Sequence, residues 1–342
     1  MPSRFARLAA VTRNDLQESW HLGAVAVATP EGRLVARAGD PTLETFLRSA
    51  AKPWQAMPLL RAGGRERFAL TDADLALICA SHSGTDAQAE RAASLLERGG
   101  FTVADLLCGS HPPIDAAAAA KLRERGEAAD ALRNNCSGKH AGMLLACRAQ
   151  GFRTSDYIDP GHPLQCQVLV YASRFCGVAE ESFGIGVDGC SVPTLRTSLF
   201  AAARGYAALA DPSRTALQME ERELAREVVA AMTGAPEMVA GPGRFTTRLM
   251  EVTGGRVLGK EGAEGFYSAA VRGPAALGVA VKVADGGERC RDGVVIDVLR
   301  QLGSLSAAEV RELAAFHRPP IRNHAGRLVG EVVPDVELVA TD

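Results

Sequence analysis

Three short groups in the chain pair a hydroxyl with an amine or sit where such a pair needs help: Ser49-Ala50-Ala51-Lys52, Ser81-His82-Ser83 and Lys260-Glu261-Gly262. Serine and lysine three residues apart share one face of a helix and can touch. Serine is a poor nucleophile at neutral pH and needs a base beside it. Lysine, with an ordinary pKa near 10.4, supplies one only if burial or a nearby cation lowers that value. Bringing it to roughly 7–8 costs about 4 kcal/mol. Phe46-Leu47 and Pro53-Trp54-Gln55-Ala56-Met57 flank the pair with apolar residues, so Lys52 is expected to be at least half buried. Without a role, such a lysine is expensive. Pro53 suits the first turn of a helix, which places Ser49 at its N-terminus among free backbone donors that favour an oxyanion. Pro58 predicts a kink or an early stop. Lys260 is the cation that tunes Lys52, or the reverse. Each group alone also fits an inert reading: a helix cap, a capping serine at position 81 and an exposed turn at 260–262.

In this order, S-x-x-K, S-x-S and K-x-G follow the layout of serine β-lactamases and penicillin-binding proteins, which acylate a serine. The surrounding pattern agrees. Ala24–Ala28 and Leu34–Arg37 flank the turn Pro30-Glu-Gly-Arg33 and read as a hairpin. Strand patterns return at Phe266–Val271 and Leu277–Val283, separated by Arg272-Gly-Pro274, and a helix closes at Cys290–Leu302. Between them the periodicity predicts helices over Asp86–Arg98, Asp115–Glu124, Lys139–Gln150, His162–Phe175 and Ser213–Met232. The fold class is therefore α/β (α+β), with a serine β-lactamase-like antiparallel sheet formed from both chain ends and an inserted helical lobe. The sheet lobe is set at about 1–45 and 250–342, the helical lobe at about 46–249, within a single unit of 1–342 and with a cleft where they meet. Ser306–Asp342 is expected to pack on the outside.

Two further motifs are dense in polar residues. Asn134-Asn-Cys-Ser-Gly-Lys-His-Ala-Gly-Met143 opens a helix. Its Gly138-Lys139 invites comparison with a phosphate-binding loop, but Arg133 replaces the first required glycine and His140 the required Ser/Thr. Gly186-Val-Asp-Gly-Cys-Ser-Val-Pro-Thr194 is a glycine-bearing loop after a strand, without the glycine that a nucleophile elbow needs. Taken by themselves, Cys136 and Cys190 read as buried free thiols.

Together SAAKPWQAMPL, ASHSG, NNCSGKHAGML, GVDGCSVPT and GKEGAEG resemble the thermolabile, rhizobial-type L-asparaginases, in order from about residue 20 to 290. These share a fold with serine β-lactamases and glutaminases. The resemblance implies hydrolysis of L-asparagine to aspartate and ammonia through an acyl-serine. It makes Ser49 the nucleophile, with Lys52, Ser81 and Lys260 as the proton-transfer network. It further implies that Cys136, Lys139 and Cys190 hold one zinc ion beside the pocket, and that Arg48, Asp188 and His140 line that pocket. Zinc cannot bind an ammonium, so Lys139 would have to serve as a neutral amine. The runner-up is a glutaminase, β-lactamase or D-alanyl peptidase on the same scaffold. A non-catalytic zinc- or amino-acid-binding module is disfavoured because nucleophile and base are both present.

The chain has 342 residues, 47% of them hydrophobic and 23% charged, and a net charge of −2. That composition suits a globular protein and gives no reason to expect nucleic acid as partner. No apolar run is long enough to span a bilayer. At Met1–Arg13 the apolar stretch Leu8–Val11 is too short for a secretory core. A cytoplasmic location is expected on that basis, with the eight scattered cysteines as free thiols. The expected partners are the small-molecule substrate and a second copy of the chain in a homodimer, although no residue fixes the oligomeric state.

Overall fold

The computed structural model describes residues 4–341 and divides the chain into two compact units, Met1–Ala50 with Thr197–Ala216 and Arg248–Asp342, and Ala51–Arg196 with Leu217–Thr247. Residues 1–3 of the N-terminal stretch, and residue 342, lie outside the described residues.

The first unit is built on an antiparallel sheet drawn from both ends of the chain, as the strand patterns imply. Its main order runs Pro320–Arg322, Leu328–Pro334, Ala6–Arg13, Leu16–Ala28, Leu277–Val283, Phe266–Val271, Val257–Glu261; Leu34–Ala38 pairs with Leu16–Ala28 and in turn carries Val339–Ala340. The long strand Leu16–Ala28 changes character along its length. Its first half pairs with Ala6–Arg13 and is largely exposed, while Ala24–Ala28, alternately small and branched, is buried and pairs with Leu277–Val283. Helix Leu199–Ala210 packs on this buried part and on Phe266–Val271. It can come close because the chain is glycine at 278, where a Cβ would lie 1.9 Å from the Ala203 carbonyl. Helix Arg291–Gln301 also packs on Leu277–Val283.

Leu8–Val11, too short for a secretory core, is the buried centre of strand Ala6–Arg13. One expectation is corrected here: the C-terminal segment does not pack outside the sheet, because Leu328–Pro334 is one of its strands, with Ala9 opposite Pro334 and Val11 opposite Val332.

The second unit is helical. At its centre lies Ser137–Gln150, every residue of which from Ser137 to Cys147 is buried, polar ones included. It packs on Lys52–Arg61, Asp72–Ile78, Asp86–Gly99 and Pro163–Cys176. Glycine permits the closest of these contacts: a Cβ at Gly138 would lie 2.4 Å from the Leu77 carbonyl oxygen, and one at Gly142 would lie 2.5 Å from Ile78 Cγ2. Helix Lys52–Arg61 is equally immersed, with Pro53 in its first turn, and it runs on past Pro58 to Arg61 instead of stopping early. The helix expected from Ser213 begins at Met219, because Pro212–Arg214 form a separate 3-10 turn and Gln218 with Glu221 makes the capping box that starts the helix. Strands Gly184–Val187 and Pro193–Ser198 form a hairpin whose connection holds Asp188 and Cys190. Among the described residues no helix is long and apolar enough to cross a membrane.

Candidate active site

The helical unit gathers most of the residues singled out above. Lys52 is the first residue of a buried helix and is itself inaccessible to solvent. Its amine donates to the Ala80 carbonyl, to Ser81 Oγ at 3.1 Å and to Cys136 Sγ at 3.2 Å. Lys52, Ser81 and Cys136 thus meet around one nitrogen, and a proton can pass between the Ser81 hydroxyl and the Lys52 amine.

Cys136 joins this group to a second one. Helix Ser137–Gln150 brings Lys139 to 2.8 Å from Cys190 Sγ, and Cys190 Sγ lies 3.6 Å from Asp188 Oδ2 on the hairpin connection. That connection is held by Asp188 N–H on Val192 O and Ser191 N–H on Asp188 O, with Ser191 in the left-handed region at φ 74°. The hydrogen bond from Cys190, helped against burial by the Lys52 and Lys139 charges, holds the Cys136 thiol well below its ordinary pKa. The same bond, with burial, pushes Cys190 up. Burial would depress Lys139, but the two sulfurs and Asp188 outweigh it and raise its pKa, so it is an ammonium. Among the described residues no group of three or more His, Cys, Asp or Glu is arranged to hold a metal ion. The convergent donors are two thiols and an amine.

His140, the next residue, is fully buried. Leu107 N–H donates to Tyr157 Oη at 2.9 Å, and Tyr157 Oη lies 2.7 Å from His140 Nδ1. Burial, then the Lys139 and Lys52 charges, keep the ring neutral. With Leu107 filling the acceptor side of the Tyr157 hydroxyl, that hydroxyl donates to Nδ1 and the ring proton sits on Nε2. His140 Nε2 has no hydrogen-bond partner within range among the described residues.

The remaining candidates belong to the sheet unit. Ser49 is half-buried in a 3-10 turn, Arg48–Ala51, that leads straight into the helix beginning at Lys52. Arg48 holds a left-handed φ of 49°, unusual for a residue with a side chain. Lys260 is fully buried in strand Val257–Glu261, opposite Ser268, and its amine lies 3.1 Å from the Glu261 carbonyl. Behind it Arg291 spans Glu261, Glu288 and Asp292, at 3.8, 3.0 and 2.9 Å.

A family model described as L-asparaginase II matches residues 9–334. The chain belongs to this family. That membership is in keeping with the motif order read from the sequence. No curated protein matches it. Among solved structures it is similar to Mglu in its native form, at 16% identity over 83% of this chain and 64% of that one, with a TM-score of 0.46. It is also similar to a Bacillus glutaminase, at 13% identity over 83% and 92% with a TM-score of 0.39. A β-lactamase from Mycobacterium bovis is similar at 16% identity over 82% and 94%, with a TM-score of 0.40. The chain spans under two thirds of the length of the Mglu chain.

Reading the sequence assigned no role to His82 or Tyr157. Each acts through a partner far along the chain, 55 and 17 positions away; His82 stands inside the Ser81-His82-Ser83 group without a role of its own, and no local motif marks Tyr157.

Proposed function

We propose that this enzyme hydrolyses L-asparagine to L-aspartate and ammonia through an acyl-serine. The observation that carries the reading is the wholly buried Lys52 amine bonded to Ser81 Oγ, in a chain of this family whose sequence places Ser49 three residues before Lys52. Ser49 Oγ attacks the side-chain amide carbon and hands its proton to the relay formed by Lys52 and Ser81. Backbone N–H groups at the turn hold the oxyanion. The C–N bond then breaks, ammonia leaves with a proton relayed through Ser81 or Lys260, and water cleaves the aspartyl ester to free Ser49. Arg48 and Asp188 suit the α-carboxylate and α-ammonium of the substrate, and His140 Nε2–H offers a donor to an acceptor atom on it.

The donor set Cys136, Lys139 and Cys190 fits a thiophilic divalent ion such as zinc, provided the Cys190 thiol and the Lys139 ammonium give up their protons to it. When bound, zinc supplies a Lewis acid that anchors polar atoms of the substrate. Elemental analysis is expected to find zinc in the wild type and none in Cys136→Ala/Cys190→Ala; equal contents would remove the metal from the proposal.

The decisive assay is ammonia release from asparagine against glutamine, beside turnover of a chromogenic cephalosporin. Asparagine is expected to be turned over and glutamine poorly. Ser49→Ala and Lys52→Met should each lower turnover by roughly 10³-fold or more, and together by little more than either alone, because residues acting as one unit are non-additive. Activity surviving in Ser49→Ala, or hydrolysis of the cephalosporin instead of asparagine, would overturn the reading.

A further inference from the structure

The acceptors around the Lys52 amine come from two different stretches of chain. Ala80 and Ser81 lie on one, and Cys136 lies on the other. Neither stretch is regular structure where it meets Lys52, so something must hold them at a fixed separation. Arg133 donates to the Gly84 carbonyl at 2.9 Å, and His82 N–H donates to the Asn135 carbonyl at 3.2 Å. His82 Nε2 lies 2.8 Å from Ser137 Oγ, and both residues are inaccessible to solvent.

The direction of every proton in this last link is determined. Gly84 N–H donates to His82 Nδ1 at 3.1 Å, so Nδ1 carries no proton. Burial, then the Lys52 charge, lowers the His82 pKa to about 3, and the ring is neutral. Its one proton is therefore on Nε2 and is donated to Ser137 Oγ, whose own hydroxyl donates to the Leu132 carbonyl at 2.9 Å. A fully satisfied buried chain of this kind is rigid, and breaking it leaves a desolvated donor or acceptor behind. His82 is adjacent to Ser81, and Ser137 is adjacent to Cys136.

We infer that His82 is a positioning residue: its bond to Ser137 clamps the Ala80–Ser81 stretch against the Asn135–Ser137 stretch and so sets the geometry of the acceptors around Lys52. The hydrogen bonds of His82 run to Gly84, Asn135 and Ser137 and not to Lys52. The inference rests on the proposal that Lys52 is the base, and the two can fail separately. If Lys52→Met keeps its activity, the proposed function fails. If Lys52→Met is inactive while the His82 variants behave as the wild type, only the clamp fails.

The test is steady-state amide hydrolysis per folded protein, with folding checked by circular dichroism and thermal unfolding. His82→Leu is expected to lower kcat by roughly 10²-fold, the effect of about 1 Å of misplacement, with KM nearly unchanged. His82→Gln places an amide N–H near the position of Nε2 and is expected to restore most of that kcat. Ser137→Ala should lower kcat as His82→Leu does, and the two together should lower it little further. A loss of stability with kcat intact in folded His82→Leu would overturn the clamp, as would additive losses in the double variant. Should His82→Leu not fold, Ser137→Ala decides: wild-type kcat in that variant overturns the clamp, and a kcat-specific loss supports it.

Discussion

Gly138→Ala adds a single methyl group at a crowded point of the helical unit. Its carbon would lie 2.4 Å from the Leu77 carbonyl oxygen and 2.7 Å from Leu77 Cγ. A carbon and a carbonyl oxygen settle at about 3.3–3.6 Å, so helix Ser137–Gln150 must retreat from helix Asp72–Ile78 by about 1 Å. The obstacle is backbone, which no side-chain rotation relieves. Overpacking of this sort costs about 1–3 kcal/mol, or roughly 3–10 °C in Tm for a unit of this size. The retreating helix carries Lys139 and His140 and is capped by Cys136, so a shift of about 1 Å should also cost on the order of 10²-fold in turnover. Two other glycines serve as controls. At Gly142 the added carbon meets Ile78 Cγ2 at 2.5 Å, a side-chain atom that can rotate away for about 0.5–1.5 kcal/mol. At Gly151, φ 71°, nothing lies within 4 Å, so alanine there meets only left-handed strain of about 1 kcal/mol and should leave turnover unchanged. Thermal unfolding and asparagine hydrolysis of the three variants check the order 138 before 142 before 151 in damage to activity. A Gly138→Ala protein with the Tm and kcat of the wild type would refute the reasoning.

The Asp74 carboxylate is almost wholly buried; burial alone would raise its pKa, but Arg98, the Thr71 N–H and Arg91 outweigh that and lower it to about 2 from 3.8. Its stabilisation, about 2 kcal/mol, is therefore full above pH 4 and lost as pH falls from 3.8 through 2; acid unfolding of Asp74→Asn should lack that component, and an unchanged acid limb would contradict it. Tyr157→Phe frees His140 Nδ1 and leaves the Leu107 N–H without its acceptor, so the ring should lose its fixed Nε2–H tautomer and KM should rise more than kcat falls, with a stability cost of about 1–3 kcal/mol. Nitrogen-15 shifts of the His140 ring read the tautomer directly, and an unchanged tautomer in Tyr157→Phe would exclude Tyr157 as its cause.

What could be read from the sequence depended on how local the controlling physics was. Phe266–Val271 and Leu277–Val283 were legible to the residue because the Arg272-Gly273-Pro274 turn separates two apolar runs. Asp86–Gly99 announced itself through Thr85 and Gln88, which cap it reciprocally. Strand Ala6–Arg13 did not, since its meaning comes from Leu328–Pro334, more than 300 positions on. Helix Leu199–Ala210 escaped because it is alanine-rich and buried nearly all round, leaving no polar stripe to set a period. At the site, spacing and residue type singled out Lys52, Ser81, Cys136, Lys139 and Cys190, and the fold brings these five together in one unit. The glycine of Gly138-Lys139, suggestive of a phosphate loop, proves to be a packing glycine. The tautomers of His82 and His140 were illegible, because each is set by atoms that only the fold supplies.

The sheet's pairing of Ala6–Arg13 with Leu328–Pro334 has a consequence in time. A ribosome making roughly 5–20 residues per second releases Ala6–Arg13 roughly 16–65 s before its neighbour Leu328–Pro334. Over that interval the early strand has Leu16–Ala28 on one side and a bare edge on the other, with Leu8–Val11 uncovered. The helical unit, by contrast, is complete once Thr247 has emerged and can assemble while the sheet still waits. Newborn chains should therefore pass through a stage in which the helices are folded and the sheet edge is open to other chains. Emergence of Leu328–Pro334, and not any earlier event, ends that exposure.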